Sequence, residues 1–129
     1  MTTKRELGNK GEDAVCQYIQ KFGYRIITRN FTCCRGEIDI IAENDDTIAF
    51  IEVKARKEDS LVSGAEAVNY GKKLKIIKTA AWYSYKNPLV KQPRFDVAEI
   101  ILKNNVPAVL RYYKGSFDMS GCNIMLSFK

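Results

Sequence analysis

Asp39, Glu52 and Lys54 sit inside one stretch, GEIDIIAENDDTIAFIEVKAR at 36–56, together with a further carboxylate, Glu37. The rest of the stretch reads as two apolar strands, about 37–43 and 47–56, around an acidic turn. Side chains alternate across a strand. Glu37, Asp39 and Ile41 therefore share one face, opposite Ile38, Ile40 and Ala42, and in the next strand Phe50, Glu52, Lys54 and Arg56 share a face. Asn44-Asp45-Asp46-Thr47 is a natural turn, because Asn and Asp tolerate tight-turn geometry. A two-residue loop at Asp45-Asp46 places Ile41 opposite Phe50, Asp39 opposite Glu52 and Glu37 opposite Lys54. Directly opposed Cβ atoms lie about 4.5–5.5 Å apart. Asp39 and Glu52 are then like charges held side by side, which is destabilising without a counter-charge. Lys54 supplies one positive charge, and a divalent cation that favours hard oxygen ligands, Mg²⁺ or Mn²⁺, would supply the remainder. The alternative is a solvated sheet face with ordinary cross-strand ion pairs, Glu37 with Lys54 among them.

The elements that must position these groups follow from hydrophobic periodicity. Residues 4–22 carry Leu7, Ala14, Val15, Tyr18, Ile19 and Phe22 at helical spacing. Glu6, Lys10, Asp13, Gln17 and Lys21 fall on the opposite side, but Glu12 lies beside Ile19 on the flank of the apolar stripe. It is either a carboxylate at the core boundary or an edge residue bending away to water. Gly23 ends this helix. Residues 24–29 predict a strand and 30–35 a connection. After the strand pair and a polar loop at 57–64, residues 66–86 predict a second helix. Its apolar face is Ala67, Tyr70, Leu74, Ile77, Ala81 and Tyr85, with Lys72, Lys75 and Lys86 on the other, and Asn87-Pro88 stops it. Residues 94–102 and 108–113 predict strands around a turn at 104–107, and 116–129 gives no clear pattern. A long helix between strands implies a crossover, so part of the sheet is expected to be parallel and the rest antiparallel, with the helices packed on it as an α/β layer.

Composition narrows the chemistry. The 129 residues predict one domain spanning 1–129. A formal net charge of +6 favours a polyanionic partner, nucleic acid first and an anionic membrane surface second. There is no histidine, which excludes Ser-His-Asp and Cys-His catalysis and any His-ligated metal. The four cysteines, Cys16, Cys33, Cys34 and Cys122, form no CxxC pair, so a zinc site is not expected and free thiols are, with a redox role for Cys33-Cys34 as the alternative. MTTKRELGNKGED at the N-terminus has no apolar core of a secretory signal, and no apolar run reaches the ~18 residues of a membrane span. The expected location is the cytoplasm.

Asp39 followed by Glu52-Val53-Lys54 resembles the D…(D/E)xK signature of the restriction-endonuclease-like nuclease superfamily. The ordered blocks go further: Gly8 and Gly11-Glu12, GYRIITRN at 23–30, GEIDIIA at 36–42, FIEVKAR at 50–56, EAV at 66–68 with Lys72, and RFDV at 94–97. Together they resemble the UPF0102 (YraN) family of bacterial predicted endonucleases, similar to archaeal Holliday junction resolvases. Where that family commonly has GEIDLI, this chain has Ile40, a conservative change. The resemblance implies a restriction-endonuclease-like mixed central β-sheet flanked by helices. It implies that Asp39 and Glu52 bind Mg²⁺ or Mn²⁺, that Glu12 joins them, and that Lys54 contacts the attacking water or the scissile phosphate. Glu37 would support the ligands or pair with Lys54. Lys72, Lys73, Lys75 and Arg94, with Lys4, Arg5, Lys78 and Lys91, would contact phosphates. The implied activity is metal-dependent hydrolysis of DNA phosphodiester bonds, with branched or junction DNA as a substrate class and a homodimer suited to a two-fold junction. The alternative is a non-catalytic nucleic-acid-binding protein that retains the nuclease fold.

Overall fold

The computed structural model describes residues 3–58 and 69–129. Helix α1 (Lys4–Lys21) is capped by Thr3, whose side chain accepts from the Glu6 N–H, and it ends as Gly23 takes a φ of 89°. Three antiparallel strands follow: β1 (Arg25–Cys33), β2 (Gly36–Glu43) and β3 (Thr47–Lys57). Helix α2 (Tyr70–Lys86) starts at Asn69, whose side chain accepts from the Lys72 N–H, and leads to β4 (Gln92–Lys103) and β5 (Val106–Phe117). The five strands lie in chain order, with β3 and β4 parallel and the other neighbours antiparallel. The mixed α/β sheet flanked by helices is as the sequence predicts.

The two helices cover opposite faces. Val15, Cys16 and Ile19 of α1 pack on Ile40, Ala42, Ala49, Ile51, Ala98 and Ile100. Ile76, Ile77, Ala80 and Tyr83 of α2 pack on Ile38, Ile41, Ile48, Phe50 and Phe95. At Gly11 a Cβ would stand 3.1 Å from the Ala55 Cβ, so the missing side chain lets α1 settle onto β3 one residue before Glu12.

Several local expectations are corrected. Residues 30–33 continue β1 instead of forming a connection, and only Cys34 and Arg35 turn the chain. Thr and Asn gave no strand signal there, because an edge strand tolerates outward polar residues. Ile38 packs with Ile41 on the α2 side, not with Ile40 as strict alternation requires. The pleat breaks at Asp39, and across from it Asn30 has a φ of 53°, a left-handed kink between the pairs Arg29–Ile40 and Phe31–Ile38. The buried face of α2 is rotated from the predicted one: Ile76, Ala80 and Tyr83 are inside, while Tyr70 and Tyr85 are exposed. Residues 66–68 lie outside the described residues. Asn104 and Asn105 both have positive φ and make the tight two-residue turn between β4 and β5. The unassigned tail is β5 up to Phe117, then irregular chain that tucks Leu126 against α2. Among the described residues, no helix is long and apolar enough to cross a membrane.

Overfilling the Gly11 contact should lift α1 from the sheet. Gly11→Val is expected to lower unfolding stability by about 1–3 kcal/mol, read from urea midpoints; an unchanged midpoint would show that the close approach is not a constraint.

Candidate active site

The turn holds as predicted. The Asn44 side chain accepts from the Asp46 and Thr47 N–H groups at 2.9 and 2.7 Å, and the Asn44 N–H donates to the Thr47 carbonyl. Ile41 pairs with Phe50 and Ile40 with Ile51. The β2–β3 ladder then ends, although both strands continue. β2 stays with β1 as far as Gly36, and β3 stays with β4 as far as Lys57. The sheet therefore forks at Asp39. The Val53 N–H, left without a partner strand on that side, donates to Asp39 Oδ2 at 2.8 Å. Asp39 does not face Glu52 across a ladder; it fills the gap between two diverging strands.

Glu52 is buried on β3, and its Oε1 receives two ammonium groups, Lys72 Nζ at 2.6 Å and Lys54 Nζ at 3.2 Å. Glu12 is also buried. Arg29, on β1, donates from Nη2 to Glu12 Oε1 at 3.2 Å and from Nη1 to Asp13 Oδ1 at 2.7 Å. Asp39 feels the charge of both other acids. Burial first, then the charge of Glu52, a side-chain hydrogen bond with Glu52 and the more distant charge of Glu12 push Asp39 up to about 8, against the lowering effect of the Val53 N–H. Asp39 therefore keeps its proton at neutral pH. Burial and the neighbouring Lys72 hold Lys54 below the usual lysine value. For Lys72, burial pulls the other way but is outweighed by the hydrogen bonds to Glu52 and Lys54, which leave it above that value.

The other predicted residues divide. Glu37 is exposed, pairs across to Thr32 on β1, and does not meet Lys54. Lys73 lies over the Phe117 ring at 5.7 Å, and Lys75 points to solvent. Arg94 turns inward: Nε and Nη2 form a two-pronged bond to the buried Asp96 at 2.8 Å each, and Nη2 also donates to Tyr24. Tyr112 and the Gly115 N–H complete the shell of Asp96. Lys91 pairs with Glu43 at 2.9 Å. Sequence reasoning missed Arg29 as the partner of Glu12 and Lys72 as the partner of Glu52. Neither signal is local, because each pair joins two elements distant in the chain.

The donor set suits a divalent cation in one respect. Asp39, raised to about 8, makes no ion pair among the described residues, and hard oxygens with room for water match Mg²⁺ or Mn²⁺. In another respect it is not a ready-made centre: among the described residues no group of three acids, cysteines or histidines stands in position to hold an ion. Arg29, Lys54 and Lys72 occupy the carboxylates instead.

The profile of the uncharacterised protein family UPF0102 matches residues 11–100, which include all three acids, Lys54 and Lys72. A UPF0102 protein of Clostridium acetobutylicum is 44% identical over 117 residues, covering 89% of this chain and 96% of the relative. One from Persephonella marina is 39% identical over 113 residues (87% and 93%), and one from Myxococcus xanthus is 33% identical over 116 residues (89% and 91%).

The raised value of Asp39 has a consequence for stability. Unfolded, Asp39 titrates near pH ~3.9; folded, it keeps its proton up to about 8. Between those values the native state binds more protons than the unfolded one, so stability falls as pH rises. In metal-free buffer, the wild type should lose stability between pH 5 and pH 8 with a slope approaching ~1.4 kcal/mol per pH unit. Asp39→Asn, which can still accept from Val53, should flatten that slope and raise stability at pH 8. Equal slopes in urea titrations of the two proteins would contradict the retained Asp39 proton.

Proposed function

The chain belongs to the UPF0102 family, and from the carboxylates and lysines gathered at its strand fork we propose that it is a metal-dependent DNA endonuclease. It hydrolyses phosphodiester bonds, with branched or junction DNA as the substrate class. The observation that carries this reading is the half-buried Asp39, raised to about 8 by burial and by the charge of the buried Glu52, with the Lys54 ammonium group 3.2 Å from Glu52. Asp39 and Glu52 would hold Mg²⁺ or Mn²⁺, with Glu12 beside them. A bound ion there would polarise a phosphoryl oxygen and lower the pKa of a water.

The chain's own groups do the rest. The Val53 N–H fixes the Asp39 carboxylate at the fork. Arg29 neutralises Glu12 and holds it in place. Lys54 orients the attacking water or stabilises the negative charge that develops on phosphorus. Burial and the neighbouring Lys72 lower its pKa, which eases release of its proton during the reaction. Water attacks in line: its oxygen bonds to phosphorus as the bond to the 3′ oxygen breaks, leaving a 5′ phosphate and a 3′ hydroxyl. The net charge of +6 draws the polyanion, and Lys75 together with Lys72, once released from Glu52, gives contacts that are independent of sequence and sensitive to salt. Two copies would match the two symmetric cuts of a four-way junction.

One observation favours the non-catalytic reading. Each acid already has a cationic or N–H partner from the chain itself, which a protein that only binds nucleic acid would need and an ion-loaded enzyme would have to exchange.

Incubation with Mg²⁺ or Mn²⁺ and a panel of duplex, flap and four-way DNA should give cleavage. Lys54→Ala should slow it by about 100- to 1000-fold, and Asp39→Ala should abolish it. No cleavage of any substrate, or cleavage indifferent to Asp39→Ala, removes the endonuclease reading. Calorimetry decides between the two readings directly: the endonuclease takes up Mn²⁺ and loses that uptake in Asp39→Ala, whereas the binding protein takes up none.

A further inference from the structure

The face of α2 turned away from the sheet is unlike an ordinary solvated helix face. Lys75, Lys78, Trp82, Tyr85 and Lys86 recur at spacings of three and four residues and form one exposed stripe. Trp82 is 39% exposed and Tyr85 74%. Arg35, from the turn between β1 and β2, joins Lys78, Trp82, Tyr85 and Met125 around an open groove of about 610 Å³. Lys86 lies over the Trp82 ring at 5.6 Å. Arg35, Lys75, Lys78 and Lys86 form no ion pair among the described residues, whereas Arg25, Arg29, Lys54, Lys72 and Lys91 all do. The described lining of the groove contains no carboxylate. Unpaired cations interleaved with exposed aromatic rings are what an anion with flat π surfaces requires.

The stripe also has a direction. Lys72, one turn before Lys75, reaches Glu52 at 2.6 Å. Ten residues of helix separate Lys72 from Trp82, a run of about 15 Å. A strand of a few nucleotides bound along α2 would therefore end at the carboxylates.

We propose that this face of α2 binds single-stranded nucleic acid beside the candidate active site, with bases stacked on Trp82 and Tyr85 and phosphates met by Arg35, Lys78 and Lys86. This deepens the endonuclease reading by giving its substrate an unpaired segment next to the cleaved bond. A second copy of the chain fits the groove poorly, because a two-fold contact would set Arg35, Lys78 and Lys86 against their own like charges. A lipid surface matches the charge but not a groove that runs along a helix toward a catalytic end.

Trp82 is the single tryptophan of the chain, so its fluorescence reports on this groove alone. With EDTA present, an oligothymidylate of about 12 nucleotides should quench the emission saturably, with an apparent affinity that falls as salt rises. Tyr85→Ala should weaken the affinity by about fivefold or more, and Arg35→Glu with Lys78→Glu by at least as much. Asp39→Ala should leave it unchanged, and a wild type that quenches but cleaves no DNA with Mg²⁺ or Mn²⁺ would sink only the endonuclease reading. The proposal is overturned by unchanged emission, by quenching indifferent to Tyr85 and the two cation substitutions, or by a spectral shift produced only by anionic phosphatidylserine vesicles. A shift that grows with protein concentration and accompanies a doubled mass in light scattering would assign the face to a second copy instead.

Discussion

The candidate site depends on the hydrogen bond from the Val53 N–H to the Asp39 carboxylate. A strand that leaves its neighbour exposes backbone groups that must be satisfied. Here β3 follows β4 while β2 follows β1, and Asp39 occupies the place where a partner backbone would have stood. The acid is therefore held in a half-buried wedge beside Glu52, where like charges cannot both remain ionised. The proton that Asp39 retains follows from that fork.

The charged groups around the fork come from every side. Glu12 arrives from α1, Arg29 from β1, Asp39 from β2, Glu52 and Lys54 from β3, and Lys72 from α2. Gly11 allows the first of these to come close. A second polar island, Asp96 with Arg94, Tyr24 and Tyr112, ties β4 to β5 and to the start of β1. It is fully satisfied, and it explains why Arg94 is not available to a phosphate.

The mixed sheet and the placing of Asp39, Glu52 and Lys54 on neighbouring strands were legible from the sequence because they rest on short-range rules: alternation, turn chemistry and helical period. The Asx turn at Asn44 fixed the register through Ile40 and Ile51. That rule failed one residue later, since alternation assumes that two strands stay paired and says nothing of a third strand drawing one away. The buried face of α2 was misread because Tyr70 and Tyr85 count as apolar in a periodicity argument, although a phenol ring sits as comfortably in water. Arg29 and Lys72 were opaque for a simpler reason: pairing between distant elements leaves no spacing to read.

The parallel pairing of β3 with β4 also bears on how the molecule forms. The β1–β2–β3 meander closes through two short turns, whereas β4 reaches β3 only after the whole of α2 has been made. Closing so long a loop is entropically slow, and pairings of this kind dominate the folding time of mixed sheets. The nascent meander alone has nothing to draw β3 away from β2 beyond Ile51. The wedge that Asp39 fills is thus a late product of chain order, and a truncated or stalled chain lacking β4 would carry every acidic residue of the site without the separation that gives them their chemistry.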